Sequence, residues 1–220
     1  MRIHEIFASV QGETVRAGLP TVFVRTSSCN LRCSWCDTTE SWERWEEMDI
    51  PGILERIDSF GIARVCVTGG EPLLEPQVPE LVRRLLDGGL EVSVETNGTL
   101  PIAGIDVRAS RVVDVKPPSA FRGASRTPPD VSFLLENLRE LGPQDALKFV
   151  IADEEDLASS VEFIEAHDLQ DRPFELLFSP LHGGYPASQL VAELLQRPWK
   201  NARLNIQVHK VIFGPDARGV

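Results

Sequence analysis

Short apolar runs alternate with longer amphipathic segments along the whole chain. Seven runs rich in Val, Ile and Phe predict β-strands, at Thr21–Arg25, Arg64–Thr68, Glu91–Glu95, Val112–Val115, Ala146–Ile151, Phe174–Phe178 and Leu204–Val208. Several are largely apolar, which is typical of parallel strands covered on both faces. The pattern therefore predicts a largely buried parallel sheet.

Amphipathic helices are predicted between these strands. The clearest has apolar residues at 78, 81, 82, 85 and 86 and ends at Gly88-Gly89. Similar stripes cover residues 134–141, 157–164 and 190–195. Repeated strand–helix units favour right-handed crossovers, in either a doubly wound sheet or an incomplete βα barrel.

Unusual residues gather directly after the predicted strands. They are Gly69-Gly70-Glu71-Pro72, Thr96-Asn97-Gly98, Lys116, Ser179 and His209. Barrel enzymes build their sites at the carboxyl ends of the strands. We therefore predict an α/β fold with a partial, TIM-like βα barrel, as one domain over residues 1–220. The proline-rich, aperiodic stretch Pro117–Asp130 is predicted to be a rim loop or lid.

Charge and composition exclude several classes of protein. The 220 residues include 22 Lys and Arg against 33 Asp and Glu, a net charge of −11, and no basic run, so nucleic acid is not an expected partner. The apolar stretches are too short to span a bilayer, and an acid, Glu5, interrupts the start where a signal peptide would be apolar. We expect a cytoplasmic protein that binds neither nucleic acid nor membrane.

Three of the four cysteines, Cys29, Cys33 and Cys36, form a C-x₃-C-x₂-C run. Soft thiolates so close together favour zinc or iron–sulfur ligation. Three thiolates can hold a cuboidal cluster by three irons and leave the fourth iron open. A structural zinc would need a fourth ligand. Cys66, which alternates with valines, is predicted to be a small buried side chain; the candidates for that ligand are Cys66, His182 and His209.

The cysteine spacing resembles the signature of radical S-adenosylmethionine (SAM) enzymes, whose open iron chelates SAM. Trp35 matches an aromatic residue that approaches the adenine in that superfamily. The segment Thr68–Pro72 resembles the glycine-rich motif that contacts the methionine, and its glycines permit close approach. The segment Glu95–Gly98 resembles the next strand end, although a tight turn explains its Asn-Gly pair equally well. The resemblance implies a [4Fe-4S] cluster and SAM as cofactors.

Further segments resemble the 7-carboxy-7-deazaguanine synthase family over nearly the whole chain. They are residues 6–14 and 18–25, Asp37 and Thr38 after the cysteines, and Gln207–Lys210. That family contracts 6-carboxy-5,6,7,8-tetrahydropterin to 7-carboxy-7-deazaguanine with loss of ammonia, on the way to queuosine or related 7-deazapurines. The resemblance implies a partial barrel, a homodimer, a small-molecule pterin substrate, Mg²⁺ and a flavodoxin-type electron donor.

The resemblance also implies three sets of site residues, and we name no catalytic acid or base. The residues implied to contact SAM are Trp35, Cys36, Asp37, Gly70, Glu95, Asp114, Val115, Lys116 and Ser179. Those implied to contact the substrate are Val10, Gln11, Gly12, Glu13, Arg25, Thr68 and His209. Thr38 is implied to be a Mg²⁺ ligand.

These residue types suit a carboxylated pterin. Glu13 can accept from its guanine-like edge, and Gln11 can donate and accept. Arg25 can grip a carboxylate with two hydrogen bonds, which Lys cannot reproduce. Alternatives remain for three residues: Arg25 pairs with a surface acid, His209 is a buried structural histidine, or Thr38 is a turn or helix-cap residue.

Two other classes of function also use clustered cysteines. A glycyl-radical-enzyme activase shares the triplet and the partial barrel but gives no reason for Gln11, Glu13 and Arg25 near the N-terminus. An iron–sulfur electron carrier or a zinc-stabilised binding module does not need the glycine pair after a strand. One departure from the family is visible: Pro215 is followed by five more residues, where family chains commonly stop soon after a His-Lys strand. A role of the terminal carboxylate in substrate binding is therefore not expected.

Overall fold

The structure is a computed structural model that describes residues 1–123, 132–215 and 217–219. Nine strands are found in these residues: β1 Arg2–Val10, β2 Pro20–Thr26, β3 Glu46–Glu47, β4 Arg64–Gly69, β5 Glu91–Thr96, β6 Ser110–Val115, β7 Ala146–Ile151, β8 Glu175–Pro180 and β9 Ala202–Leu204. The six α-helices are α1 Ile50–Asp58, α2 Val78–Asp87, α3 Ser132–Glu140, α4 Glu154–Ala166, α5 Ala187–Leu195 and α6 Val208–Phe213. Short 3₁₀ turns cover Thr39–Trp42, Pro72–Leu74, Pro118–Phe121 and Leu169–Asp171.

The strands form one sheet in the order β3-β1-β2-β4-β5-β6-β7-β8-β9. The pairs from β2 to β9 are parallel, whereas β1 is antiparallel to both β2 and β3. Sequential strands lie side by side from β4 to β9, as expected of successive strand–helix units. The predicted partial βα barrel with a parallel sheet is confirmed.

Two apolar clusters fill the space between the sheet and the helices. One joins β1, β2, β4 and β5 to α1 and α2, and the other joins β6, β7 and β8 to α3, α4 and α5. Because side chains alternate along a strand, every second residue points to the opposite face of the sheet. On that face, the apolar cluster of Val112, Ala146 and Leu177 fills the part nearer the amino ends of the strands. Polar residues follow towards the carboxyl ends and leave a cavity.

The predicted elements compare well with the observed ones in the middle of the chain. Strands β2 and β4 to β8 and helices α2 to α5 are confirmed, but β1, β3 and α1 were not predicted. The strand predicted at Leu204–Val208 is wrong: β9 ends at Leu204, and α6 begins at Val208. His209 therefore lies on a helix.

Two further predictions concern the surface of the protein. The proposed rim loop Pro117–Asp130 begins with the 3₁₀ turn Pro118–Phe121, and its residues 124–130 lie outside the described residues. Among the residues that the structure describes, no helix is long and apolar enough to cross a membrane.

Candidate active site

A cavity lies at the carboxyl ends of the parallel strands. It is lined by the segment that follows β1, by the cysteine loop after β2, by the ends of β4 to β8, and by α6 with the residues beyond it. The sequence-predicted site residues that line it are Val10, Gln11, Gly12, Glu13, Arg25, Cys29, Cys33, Trp35, Cys36, Asp37, Thr38, Thr68, Gly70, Glu95, Asp114, Lys116, Ser179 and His209. Val115 is the exception, because it packs against the apolar cluster on the helix-covered face.

The three loop cysteines face this cavity as free thiols. Burial raises the pKa of Cys33 to about 11 and also raises the pKa of Cys29, although the ammonium group of Lys116 opposes both shifts. Buried thiols of this kind become ligands when a metal displaces their protons. No group of three metal-binding side chains in the described part of the chain surrounds a point where one ion could sit. A cuboidal cluster takes each thiolate on a different iron, so three thiols around one cavity fit it.

The cysteine loop is held against the turn at Pro118–Phe121. The backbone N–H of Ser34 donates to the carbonyl of Ala120 (2.8 Å), and the Ser34 hydroxyl donates to the carbonyl of Ser119 (2.7 Å). Trp35 Nε1 donates to Ser119 Oγ (3.0 Å). Lys116 Nζ lies 5.1 Å from the centre of the Trp35 ring, within cation–π range. The indole is therefore fixed at the cavity wall beside the cysteines.

The end of β4 passes very close to the same loop. A Cβ atom added to Gly70 would lie 2.1 Å from the carbonyl oxygen of Ser28 and 2.9 Å from the Cβ of Cys29. Glycine at this position is therefore required for the approach of the two backbones. The glycine pair that the family resemblance assigns to SAM therefore also permits the packing of the cysteine loop.

Glu71 joins the β4 and β5 ends into one support. Its buried carboxylate accepts from the Thr96 hydroxyl (2.7 Å) and from the backbone N–H of Asn97 (2.7 Å). The Asn97 side chain in turn donates to Asn30 Oδ1 in the cysteine loop (2.9 Å). The two motifs after β4 and β5 and the cysteine loop are thus hydrogen-bonded to one another.

A buried row of charges crosses the cavity floor. Lys148 Nζ lies 3.0 Å from Glu13 Oε2 and 3.2 Å from Asp114 Oδ2, and Asp114 Oδ2 lies 2.9 Å from Lys116 Nζ. Burial alone would raise the pKa of Asp114, but the two ammonium groups outweigh it and hold that pKa below its usual value. Asp114 Oδ1 is buried and has no hydrogen-bond partner among the described residues. It can accept a hydrogen bond from a ligand hydroxyl such as those of a ribose.

Glu95 lies near Glu13, one of the carboxylates in this row. Its Oε1 accepts from Gln11 Nε2 (3.1 Å) and from the thiol of Cys66 (3.5 Å). Burial raises the pKa of Glu95, and the nearby Glu13 adds to the shift while Lys148 opposes it. Glu95 was assigned to SAM, yet one of its two hydrogen-bond partners is Gln11, which was assigned to the substrate. Cys66 is fully buried, as predicted.

α6 closes the cavity over the segment that follows β1. The backbone N–H of Val208 donates to the carbonyl of Gly12 (2.8 Å). A Cβ atom on Gly12 would lie 1.8 Å from His209 Nδ1, so only glycine leaves room for the imidazole. Lys210 Nζ lies 3.1 Å from Asp37 Oδ2 and so links α6 to the cysteine loop.

Arg25 has a partner that the sequence did not identify. Its Nε donates to Glu5 Oε1 (2.8 Å), and its guanidinium lies 5.9 Å from the centre of the Phe7 ring. Both Arg25 and Glu5 line the cavity. Arg25 therefore does pair with an acid, but this acid lies inside the site. By register, Arg25 is also the neighbour of Thr68 on β4.

Thr38 immediately precedes the 3₁₀ turn Thr39–Trp42. Its carbonyl accepts from the backbone N–H (3.1 Å) and the hydroxyl (2.7 Å) of Ser41, while its own hydroxyl makes no capping bond. That hydroxyl lies 3.9 Å from Cys36 Sγ. The hydroxyl oxygen of Thr38, at the cavity wall, is therefore not used as a helix cap.

Sequence reasoning missed Lys148 and Glu5, which both line the cavity. Lys148 had a signal: it is the polar residue within the apolar strand run Ala146–Ile151. In an otherwise apolar strand, a charged residue in the middle marks a face that is not packed against a helix. Glu5 has no comparable signal, because β1 mixes polar and apolar residues along most of its length.

Comparison with known proteins identifies the relatives of this chain. The family model of the radical SAM superfamily matches residues 23–112. The 7-carboxy-7-deazaguanine synthases of Thermoplasma acidophilum and Koribacter versatilis are 38% and 35% identical to this chain, each over the full length of both proteins. The crystal structure of QueE from Escherichia coli superposes with a TM-score of 0.74 at 25% identity and covers 94% of both chains. This chain belongs to the 7-carboxy-7-deazaguanine synthase family of radical SAM enzymes.

Proposed function

We propose that this protein contracts 6-carboxy-5,6,7,8-tetrahydropterin to 7-carboxy-7-deazaguanine, with loss of ammonia, in the synthesis of queuosine or related 7-deazapurines. The observation that carries this proposal is the shared cavity of the cysteine loop and the Gln11-Gly12-Glu13 segment. A glycyl-radical-enzyme activase or a simple iron–sulfur or zinc protein gives no reason for that polar segment to lie there.

Two cofactors belong to this proposal, and the residues around the cavity fit both. Cys29, Cys33 and Cys36 hold a [4Fe-4S] cluster, and the unpartnered oxygen of Asp114 accepts from SAM. When bound, the cluster supplies the electron that cleaves SAM to methionine and a 5′-deoxyadenosyl radical. The remaining residues proposed to hold SAM are Trp35, Asp37, Gly70, Val115 by its backbone, Lys116 and Ser179.

The protein's own groups orient the pterin. Glu13 and Gln11 bind the amino-pyrimidinone edge, and Glu95 joins them because it already accepts from Gln11. Arg25 holds the carboxylate, with its guanidinium oriented by Glu5. The other residues proposed to contact the substrate are Val10, Gly12, Thr68 and His209. Substrate and product differ by one ammonia, so the reaction needs no net oxidation and depends on positioning.

The test is anaerobic incubation of the cluster-loaded protein with SAM, dithionite, Mg²⁺ and 6-carboxytetrahydropterin, with the products identified by mass. We expect a new product lighter by ammonia, absent from a Cys29→Ala control. Protein that cleaves SAM but leaves the pterin unchanged would contradict the proposed substrate.

We also propose that Thr38 binds Mg²⁺ together with the carboxylate of the bound substrate. Magnesium takes oxygen ligands, and one neutral hydroxyl is a weak site unless an anionic ligand joins it. Thr38→Ala should lose most of the Mg²⁺ stimulation of the initial rate, whereas Thr38→Ser should keep much of it. SAM cleavage and iron content should not change. An equal response to Mg²⁺ in wild type and Thr38→Ala would leave Thr38 as a turn residue only.

A homodimer, a flavodoxin-type reductant and a cytoplasmic location complete the proposal. They are supported by membership of the family, and a reducing compartment suits free thiols at a cluster site. Sedimentation of the loaded protein tests the dimer. Replacement of dithionite by reduced flavodoxin tests the donor: product formation is expected, and its absence would point to another reductant.

A further inference from the structure

Lys148 lies on the cavity floor between Glu13 and Asp114. The resemblance to the family assigns it no role. It lies on β7, beside Asp114 of β6 in the parallel register. Its side chain is only 12% exposed and lines the cavity. Burying an ammonium group is costly unless carboxylates pair with it. The cost is met here by acids from two different parts of the chain.

The contacts of Lys148 join the two halves of the proposed site. Its Nζ lies 3.0 Å from Glu13, which we assign to the pterin, and 3.2 Å from Asp114, which we assign to SAM. The other charged groups that interact with it are Glu95, near Glu13, and Lys116, on the far side of Asp114. Asp37 and His209 interact with it as well. One ammonium group therefore holds the carboxylates of both ligand-binding sets in a single row.

We infer that Lys148 is a positioning residue that orients Glu13 towards the pterin and fixes the distance between the pterin and SAM. This inference rests on the proposed function. Lys148 acts through the two carboxylates, so it is not a catalytic residue. Radical chemistry at a substrate depends on the distance between the reacting atoms, which is set by such supporting groups.

The two carboxylates of the row differ in the number of lysines that pair with them. Among the described residues, Lys148 is the one cation within ion-pair distance of Glu13. Asp114, in contrast, has both Lys148 and Lys116. Loss of the Lys148 charge therefore leaves Glu13 without a cation beside the Glu95 carboxylate, while Asp114 keeps one. Pterin binding should suffer more than SAM binding.

The experiment measures both dissociation constants by calorimetry on anaerobic, cluster-loaded protein. For Lys148→Met we expect the Kd for 6-carboxytetrahydropterin to rise about tenfold or more, and the Kd for SAM to change less than about threefold. For Lys116→Met we expect the reverse order. Lys200→Met, the same substitution at an exposed lysine, should change neither constant.

Two further readouts separate positioning from a general loss of stability. The amount of 5′-deoxyadenosine released per product should rise in Lys148→Met, because SAM is cleaved without a correctly placed substrate. In a double-mutant cycle, Glu13→Gln and Lys148→Met should not add: the double variant should bind the pterin within about threefold of the weaker single variant. If Lys148→Met does not fold, Lys148→Gln replaces it, because glutamine keeps a hydrogen-bond donor. The same two dissociation constants, for the pterin and for SAM, are then measured on that variant.

Three results would overturn the inference: an unchanged pterin Kd in a folded variant, equal losses for both ligands, or additive effects in the cycle. These outcomes differ from failure of the proposed function. Wild-type protein that binds no pterin would contradict the proposed function, and the role of Lys148 with it. Wild-type protein that converts the pterin, with a Lys148→Met variant that binds it normally, would contradict the role of Lys148 alone.

Discussion

Strands β6 and β7 carry a buried ion pair at each end, and the two pairs differ in how completely they are satisfied. At the amino end, Arg111 meets Asp145 at 2.6 Å, and both Asp145 oxygens accept further backbone N–H groups, from Arg111 (2.7 Å) and Gly142 (2.8 Å). At the carboxyl end, Asp114 is shared by two lysines, yet its Oδ1 has no hydrogen-bond partner among the described residues. Both oxygens of Asp145 are fully occupied by hydrogen bonds, whereas Oδ1 of Asp114 can still accept one from a ligand.

The difference separates a group that stabilises the fold from a group that serves a site. A buried carboxylate with every lone pair occupied cannot bind a ligand as well, and its removal lowers the free energy of unfolding. A buried carboxylate with an unused oxygen costs free energy in the empty protein, and a bound ligand removes that cost. Substitutions at the two ends should therefore change different measurements.

The largest effect on function is expected at the carboxyl end, in the cysteine loop. Replacement of Cys29, Cys33 or Cys36 by Ala should abolish the cluster and all product, because each thiol holds its own iron. The matched control is Cys66→Ala, which removes a buried thiol on β4 and should keep the iron. Iron and sulfide content of the folded proteins is the measurement. Loss of iron in the Cys66 variant would contradict a cluster held by three cysteines.

The largest effect on stability is expected at the amino end. Asp145→Asn leaves the buried guanidinium of Arg111 without a counter-charge, so we expect a loss of about 3–5 kcal/mol in the free energy of unfolding. Urea titration measures this loss. The SAM affinity of the protein that remains folded should equal that of wild type. A loss of SAM affinity with unchanged stability would reverse the assignment of the two ends.

A smaller effect is expected for Arg25→Lys. A charge-assisted hydrogen bond to a carboxylate contributes about 1.5–3 kcal/mol, so pterin turnover should fall tenfold or more. SAM cleavage without substrate should persist, because Arg25 is not among the residues proposed to hold SAM. Glu5→Gln, which releases the partner of Arg25, should have a weaker effect in the same direction. Wild-type turnover in Arg25→Lys would show that the arginine serves Glu5 alone.

The smallest effect concerns the dependence of stability on pH at His209. Burial lowers the pKa of His209 below its ordinary value of 6.5, and Lys210 adds to this shift while Glu13 opposes it. The folded protein therefore binds this proton less readily than the unfolded chain. The free energy of unfolding should be highest above pH 6.5 and fall as the pH drops through the folded pKa.

His209→Gln should remove this part of the acid destabilisation, measured by urea unfolding at a series of pH values. The matched control is His182→Gln, at an exposed position, which should keep the wild-type slope. Identical slopes in wild type and His209→Gln would mean that the imidazole titrates in the folded protein as it does in the unfolded chain.

Much of the site could be predicted because its signals are local in the sequence. The cysteine spacing, the glycine pair and the polar strand ends each lie within a few residues, and the parallel topology brings strand ends together. Val115 was less predictable: it lies between two site residues, but the alternation of side chains turns it to the helix-covered face.

The errors lie where distant contacts decide the local structure. The run Leu204–Val208 contains residues typical of a strand, but Asn205 donates to Ser179 (2.7 Å) and accepts from the backbone of Thr14 (2.8 Å). The backbone N–H of Asn205 still donates to the carbonyl of Phe178 on β8 (2.8 Å), but its side chain is bound to these distant partners, and α6 begins at Val208. Helix α1 had a readable start, since Asp49 caps the N–H of Gly52 (2.9 Å), but Pro and Gly in its first turn hid the apolar stripe.

The docking of α6 has a consequence for how the protein is made. Val208 bonds to Gly12 and Lys210 pairs with Asp37, so an element late in the chain covers segments near its beginning. Synthesis proceeds from the N-terminus, and the cysteine loop leaves the ribosome well before α6 does. The cavity that the thiols line therefore lacks its α6 wall until that helix has been translated, which leaves the thiols more accessible to iron delivery and to oxygen. Cluster loading during this interval would place the iron before α6 covers this side of the cavity.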